Sequence, residues 1–300
     1  MAERLALLGF GEAGASIAAG LATGGAAVTA FDLAFRSPGG AARMDAARTV
    51  GIVPHEEVAP AVADATIVVS AVPGAVAVDV ARAAAPHLRA PQIYLDLNSV
   101  SPATKRAVAA AVAESGAACI EAAVMARVLP YGHRVPMLLA GPGADAVATR
   151  LNALGMATEA VGEAIGQASA NKMVRSIVIK GIEALLMEAL VAADRAGITE
   201  RILDSVAATF PGIDWRATAS YYLDRSLSHG ARRITEMQEV ADTLRELGLE
   251  PVMAEAIGRR IGWAYETADG EPWPPADGGG YQAVLDTLAR AAARSSQTRK

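Results

Sequence analysis

Apolar positions along the chain fall into two regimes. Over residues 5–161, short aliphatic or β-branched runs (Leu5–Leu8, Ala26–Phe31, Thr66–Ala71, Gln92–Leu95, Cys119–Val124 and Pro136–Ala140) alternate with alanine-rich stretches of helical composition. Continuous apolar character in runs of strand length marks strands buried on both faces. Strand and helix in alternation predict a mostly parallel sheet with helices on both sides. Past Gly166 these runs stop, and a helical pattern extends from Gln167 to Arg195, interrupted only by Gly181. At 1.5 Å per residue such a helix is about 45 Å long, enough to cross between two domains. Further helices are predicted at Thr199–Thr209, Arg216–Ser226, Ala231–Leu247, Val252–Glu266 and Tyr281–Arg294. Asp269–Gly280 is crowded with glycine and proline and reads as a loop. The expected division is an α/β domain over residues 1–163, an all-helical domain over 164–294 and a disordered polar tail over 295–300.

Composition narrows the functional classes. The chain has 300 residues, enough for one large or two ordinary domains, and 52% of them are hydrophobic, enough for a sizeable core. A net charge of -5 gives no reason to expect nucleic acid or an anionic membrane as partner. The longest uncharged stretch, Ala13–Phe31, contains the pair Gly24-Gly25 and reads as helix, turn and strand rather than a membrane span. The first ten residues carry Glu3 and Arg4 and lack the basic start and cleavage site of a signal peptide, so the expected location is cytoplasmic. Cys119 is the only cysteine, which excludes a disulfide within the chain; it reads as a buried thiol. No Cys/His cluster has zinc-like spacing, so no metal is expected.

One motif ties the α/β half to a ligand class. Gly9-Phe10-Gly11-Glu12-Ala13-Gly14 follows an apolar strand and opens a helix. In such a G-x-G-x-x-G turn the first glycine makes the tight turn and the second lets the backbone approach a pyrophosphate. The third lets helix and strand pack closely, and the helix N-terminus faces the phosphates. Asp32, at the end of the next strand, is placed to accept hydrogen bonds from the adenosine ribose hydroxyls. A carboxylate there repels a 2′-phosphate and argues for NAD over NADP. Arg36 and Arg43 argue the other way, since an arginine pairs with that phosphate. The α/β half is therefore expected to be a Rossmann domain.

Three further segments are candidates for contact with the bound groups. Val72-Pro73-Gly74 follows the run Thr66–Ala71, at the carboxyl edge where ligands bind in open α/β sheets, although a plain turn explains it as well. In Asp96-Leu97-Asn98-Ser99-Val100-Ser101-Pro102, helix capping accounts for Ser101 and Pro102 but leaves Asn98 and Ser99 as ligand groups. Lys172 lies early in the long helix, with Ser176, Ile179 and Glu183 within about 40° of it on one face. On helix geometry alone Arg175 and Lys180 are equal competitors for a catalytic role. Arg232 and Arg233, in His229–Met237, are either anion ligands or part of a solvated helical face.

Taken together these segments resemble the β-hydroxyacid dehydrogenases, the family of 3-hydroxyisobutyrate and 6-phosphogluconate dehydrogenases, over nearly the whole chain. Gly9–Gly14 and Asp32 match its NAD-binding start. Asp96–Pro102 resembles its D-x-S-T-x-x-P substrate segment, with Asn98 for serine and Ser99 for threonine. Lys172-Met173-Val174-Arg175-Ser176 resembles K-M-V-H-N, in which the lysine is the catalytic acid/base. Departures mark an outlying branch. Glu121–Arg127 (EAAVMAR) stands where the family has D-A-P-V-S-G-G, Ser176 replaces an asparagine that orients the substrate hydroxyl, and Thr235-Glu236-Met237 replaces K-D-L. The family's glutamate acid would fall at Ile179, and Glu183 lies about 16 Å along the helix, too far to substitute.

The resemblance implies an NAD-dependent oxidoreductase, with NADP as the alternative, acting on a small hydroxy acid. Lys172 would take the hydroxyl proton as the hydride leaves, which requires a neutral amine and hence burial in a cleft between the domains. Asn98, Ser99 and Ser176 would hold the substrate. Main-chain groups of Met125, Ala126 and Arg127 would meet its acid group, with the Arg127 charge in addition. Gly9 to Gly14, Asp32, Val72, Pro73 and Asn98 would line the cofactor. The helical domain resembles the family's dimerising domain, so a homodimer is expected. An imine reductase on the same scaffold and a non-catalytic dinucleotide-binding regulator are the rival readings; Lys172 argues against the first, and turnover separates the second.

Overall fold

The computed structural model describes residues 3–269, 271, 273 and 279–297, with backbone alone from 295. Eight strands, β1 (Arg4–Leu8), β2 (Ala27–Phe31), β3 (Ile52–His55), β4 (Ile67–Ser70), β5 (Ile93–Asp96), β6 (Ala118–Val124), β7 (Pro136–Ala140) and β8 (Ala157–Gly162), form one sheet in the order 3-2-1-4-5-6-7-8. Strands β1 to β6 are parallel; β7 runs antiparallel to β6, and β8 is parallel to β7. The intervening helices are α1 (Glu12–Thr23), α2 (Gly40–Thr49), α3 (Val58–Val62), α4 (Ala77–Ala84), α5 (Pro102–Ala113), the short α6 (Val128–Tyr131) and α7 (Ala144–Ala153). Then come α8 (Gln167–Arg195), α9 (Thr199–Thr209), α10 (Trp215–Ser228), α11 (Gly230–Glu246), α12 (Val252–Thr267) and α13 (Gly280–Gln297).

The expected fold class holds: a mostly parallel Rossmann-like sheet is followed by an all-helical region. Alternate residues of β1 serve the two faces. Leu5 and Leu7 pack with Ile17, Ala18 and Leu21 of α1 and Val147 and Leu151 of α7, whereas Ala6 and Leu8 pack with Ala77 and Ala81 of α4 and Val108 and Val112 of α5. Burial on both sides explains the unbroken apolar runs of the central strands. The sequence pattern showed six strands and missed β3 and β8, the two edges of the sheet. Edge strands are half-wet: β3 carries Pro54, which a central ladder excludes, and β8 is at most half-buried through Thr158 and Glu159. The helices from α8 onward fall where periodicity put them. Helix α13 continues to Gln297, into the segment expected to fray, while residues 298–300 and most of the expected loop Asp269–Gly280 lie outside the described residues. Among the described residues no helix is long and apolar enough to cross a membrane.

The chain divides into two compact units, Met1–Lys172 and Met173–Lys300, and the division falls inside α8. In the helical unit, α11 and α12 pack through Met237, Val240 and Ala241 against Ala254, Ile257 and Ile261. A second layer joins α10 to α13 through Ala219, Leu223, Val284 and Leu288. Charged groups run through this interior. Glu183 of α8 has no exposed surface; it accepts a hydrogen bond from Ser226 Oγ at 2.7 Å and pairs with Arg233 Nη1. Burial pushes the Glu183 carboxyl above the usual carboxylate range, and Arg233, Ser226, Lys180 and Arg225 offset this only in part. Arg233 is thereby committed within the protein, and Arg232 lies on the solvated side of α11, 3.4 Å from Glu236.

The network predicts a stability phenotype. Arg233→Ala leaves Glu183 buried without its charged partner and should cost about 3–5 kcal/mol in urea unfolding. Replacing both residues together, as Glu183→Met with Arg233→Leu, should recover most of that loss.

Candidate functional site

The glycine turn separates what the fold needs from what a ligand needs. Gly9 has φ +97°, in the left-handed region, and a Cβ there would lie 2.4 Å from the Ala71 carbonyl oxygen. A Cβ on Gly14 would lie 2.1 Å from the Gly9 carbonyl oxygen, so α1 packs on the turn that leaves β1 at a distance only hydrogen allows. Gly11 differs from both. Its φ of −74° suits any residue, and a Cβ there has nothing within 4 Å. Neither backbone nor neighbours demand glycine at 11; the open space before it is what a Cβ would fill. Gly11 also precedes α1 as its N-cap and offers no side-chain cap, which leaves first-turn amides for an anion. These residues fit a dinucleotide pyrophosphate.

Asp32 locks this turn in place. Its Oδ2 accepts from Phe10 N at 2.6 Å and its Oδ1 from Ala34 N at 2.7 Å, tying the glycine turn to the end of β2. A carboxylate oxygen has more than one acceptor site, so both oxygens retain capacity for a ribose hydroxyl. Arg36, the nearer candidate for a 2′-phosphate, donates Nε to Glu56 O at 2.7 Å and pairs with Glu57.

Further along the carboxyl edge, the loops after β4 and β5 are joined by one side chain. Asn98 is buried; its Oδ1 accepts from Val72 N at 2.7 Å and its Nδ2 donates to Ser70 Oγ at 3.0 Å. Asn98 N in turn donates to Asp96 Oδ1 at 3.0 Å. The Asn98 amide thus shapes the edge between Val72 and Ser99. Ser99 Oγ is buried and has no hydrogen-bond partner among the described residues. A hydroxyl left this way costs stability unless something else serves it. Ser101 caps α5 and Pro102 opens it, the arrangement expected from sequence.

Beneath the edge lie charges that sequence reasoning did not use. Lys105 and Asp96 are each 1% exposed and pair at 3.1 Å, and Lys105 Nζ also donates to Asp96 O at 2.8 Å. Glu121 of β6, 1% exposed, accepts from Gly166 N at 2.7 Å and Ala168 N at 2.9 Å through one oxygen. The signal was present: a lone acid inside an apolar strand, and a lysine on the helix face shared with Val108 and Val112. Cys119, expected to be buried, is half-buried in β6, and desolvation pushes its thiol up to about 12.

The remaining candidates distribute as follows. Met125, half-buried, spends its amide on Pro136 O at 2.8 Å, which leaves Ala126 and Arg127, both exposed, as donors on that segment. Phe10, Glu12, Ala13, Val72 and Pro73 border the glycine turn and the β4 edge. Lys172 is half-buried and closes the first unit, whereas Ser176, buried, belongs to the second. Of the two cations that competed with Lys172, Arg175 is exposed, and Lys180 pairs with Glu236 at 2.9 Å.

Comparison with known proteins agrees with the fold and with a dinucleotide-binding first domain. Residues 4–129 match the NAD binding domain of 6-phosphogluconate dehydrogenase, and residues 193–263 match a domain of unknown function, DUF1932. A conserved hypothetical protein of Sinorhizobium meliloti is 48% identical, with 97% of each chain covered and a TM-score of 0.79. A conserved protein of unknown function, described for its structural similarity with 3-hydroxyacid dehydrogenases, is 34% identical, with 97% of this chain and 98% of that one covered, at a TM-score of 0.70. The 3-hydroxyisobutyrate dehydrogenase of Mycobacterium tuberculosis, solved with L-serine, shares the fold at 20% identity, with 96% and 99% covered and a TM-score of 0.74.

The glycines supply a paired test. Gly11→Val should keep the circular dichroism spectrum and melting temperature of the parent yet lose dinucleotide binding in a calorimetric titration. Gly14→Val, whose side chain meets the Gly9 carbonyl, should fail to fold. Retained binding in the Gly11 variant would reduce the motif to a turn.

Proposed function

Because the chain belongs to the family of conserved proteins that join a 6-phosphogluconate dehydrogenase-type NAD-binding domain to a DUF1932 domain, we propose that it is a dehydrogenase of small hydroxy acids. The observation that carries the reading is a convergence within the first unit. The open glycine turn and the bare Ser99 hydroxyl follow the carboxyl ends of β1 and β5, and the start of the helix bearing Lys172 is hydrogen-bonded to Glu121, which pairs in register with Asp96 at the end of β5. A bound nicotinamide dinucleotide supplies the hydride acceptor.

The protein's part is binding, orientation and proton transfer. Gly11 and the first amides of α1 take the pyrophosphate, Asp32 takes the adenosine ribose, and Val72 and Pro73, held by Asn98, wall the reactive end. Ser99 donates to the substrate, and the Ala126 and Arg127 amides, with the Arg127 guanidinium, hold its acid group. Lys172 accepts the hydroxyl proton as the alcohol is oxidised and returns it in reduction. A homodimer formed through the helical unit is part of the reading. Helix α8 exposes Val174, Val178 and Leu185 along one side, apolar surface of the kind that marks association.

NAD should bind more tightly than NADP, since Asp32 repels a 2′-phosphate and Arg36 is already paired. Calorimetric titration with both oxidised cofactors checks this, and Asp32→Ser combined with Leu33→Arg should shift preference towards NADP.

Turnover of a panel of hydroxy acids, followed by nicotinamide absorbance, tests the reaction itself. Lys172→Met should lower the turnover rate by about 10²–10⁴ and leave dinucleotide affinity nearly unchanged. Ser176→Ala should be intermediate and the exposed Arg175→Met mild. Tight dinucleotide binding with no turnover of any acid would favour a regulator instead.

A further inference from the structure

Helix α8 begins without the usual means of ending its own N-terminus. Its first turn has no acidic residue, and the residue before it is Gly166. The polar side chains nearby are spent elsewhere: Gln167 Oε1 accepts from Ala164 N at 3.1 Å, and Ser169 Oγ donates to the Gly166 carbonyl at 3.1 Å. The amide of Gly166 and that of Ala168 in the first turn are served from outside the segment. Glu121 Oε1, from β6, accepts from Gly166 N at 2.7 Å and from Ala168 N at 2.9 Å.

The helix start is also confined on its other side. Gly166 has φ +110°, and a Cβ on it would lie 2.9 Å from Arg106 Nη1 and 3.2 Å from Pro102 Cβ of α5. Glu121 therefore pulls the first turn of α8 against a surface that does not let it slip. Lys172 follows Ala168 by one turn, about 6 Å along the axis, so the anchor and the lysine move together.

Glu121 carries an unusual cost for a capping group. It is 1% exposed, and its Oε2 has no hydrogen-bond partner among the described residues. A buried carboxylate with one bare oxygen is expensive, although a negative charge at a helix N-terminus recovers part of that cost. Local departures of this kind collect where function needs a fixed geometry.

We infer that Glu121 is a positioning residue: it fixes the height of Lys172 over the carboxyl edge of the sheet by gripping the first turn of α8. The inference rests on the reading of Lys172 as the proton acceptor. It assigns to the acid of the EAAVMAR segment a task separate from substrate contact.

Three substitutions separate reach from charge. Glu121→Gln keeps a carbonyl oxygen for the same two amides. Glu121→Asp keeps the charge and is one methylene short, and Glu121→Ala has neither. Turnover should fall about 10–100-fold in the Ala and Asp variants, the scale of a misplacement near 1 Å, and stay within about threefold in Gln. Dinucleotide affinity, and the substrate KM to within a few-fold, should hold in all three. Amide hydrogen exchange should show lost protection at Gly166 and Ala168 in Ala and Asp, restored in Gln, with the amides of β1 and β4 unchanged.

Lost protection without lost turnover would make Glu121 a cap only and overturn the inference, as would a Gln variant as slow as Ala. Unchanged protection in all three variants would overturn it as well. If the parent protein turns over no acid, the dehydrogenase reading fails; the exchange experiment still decides whether Glu121 holds the first turn of α8. Should Glu121→Ala not fold, the Asp and Gln pair carries the comparison by itself.

Discussion

The packing of α1 on the turn that leaves β1 sets the terms for the rest of the α/β unit. At that contact the space for a Cβ on Gly14 is taken by the Gly9 carbonyl oxygen, 2.1 Å away. The helix can therefore lie on the turn only because a hydrogen stands where a side chain would be. Close packing brings the helix N-terminus, with its unpaired amides and partial positive charge, to the carboxyl edge of the sheet. Asp32 then fixes the turn by holding Phe10 N, so one carboxylate couples the second strand to the backbone of the glycine turn.

The edge of the sheet is supported from below by ions rather than by hydrocarbon alone. Asp96 and Lys105 are buried as a pair, and Lys105 also reaches the main chain at the end of β5. Asn98 links the loops after β4 and β5, and Glu121 links β6 to α8. Buried polar groups are costly unless satisfied, and once satisfied they admit few alternative arrangements. A hydrocarbon core tolerates small shifts by repacking, but a carboxylate oxygen shared by two amides or a paired side-chain amide does not. Such a framework suits a site whose residues come from several separate loops. The helical unit uses the same device in the Glu183, Ser226 and Arg233 cluster, where three helices meet around one carboxylate.

The candidate site contains both committed and uncommitted polar groups. The Asn98 amide and Asp96 Oδ1 are hydrogen-bonded within the protein, and Lys105 is ion-paired with Asp96. Ser99 Oγ does not, and the space before Gly11 is open. Groups of the first kind hold a shape, and those of the second kind have capacity left for a ligand. Division of labour along these lines is what preorganisation requires, since a donor that must first break an internal bond contributes less to holding a transition state.

Local periodicity and turn chemistry are properties of neighbouring residues, and the sequence by itself determined what depends on them. Unbroken apolar runs gave the buried strands, 3.6-residue periodicity gave α8 to α13, and Gly9 to Gly14 with Asp32 gave the dinucleotide turn. The edge strands β3 and β8 escaped because half-wet strands lack that apolar signature. The buried charged groups left a local signal, an acid in an apolar strand and a lysine on a buried helix face, but the identity of their partners did not. Lys105 with Asp96, Glu121 with the start of α8, and Lys180 with Glu236 join residues whose separation in sequence says nothing of their distance. The sequence could offer Asn98 as a substrate group and Arg233 as an anion ligand, because both are polar and suitably spaced. Only the tertiary structure could show that each already has its partners, since a hydrogen bond is decided by what lies within about 3 Å in space.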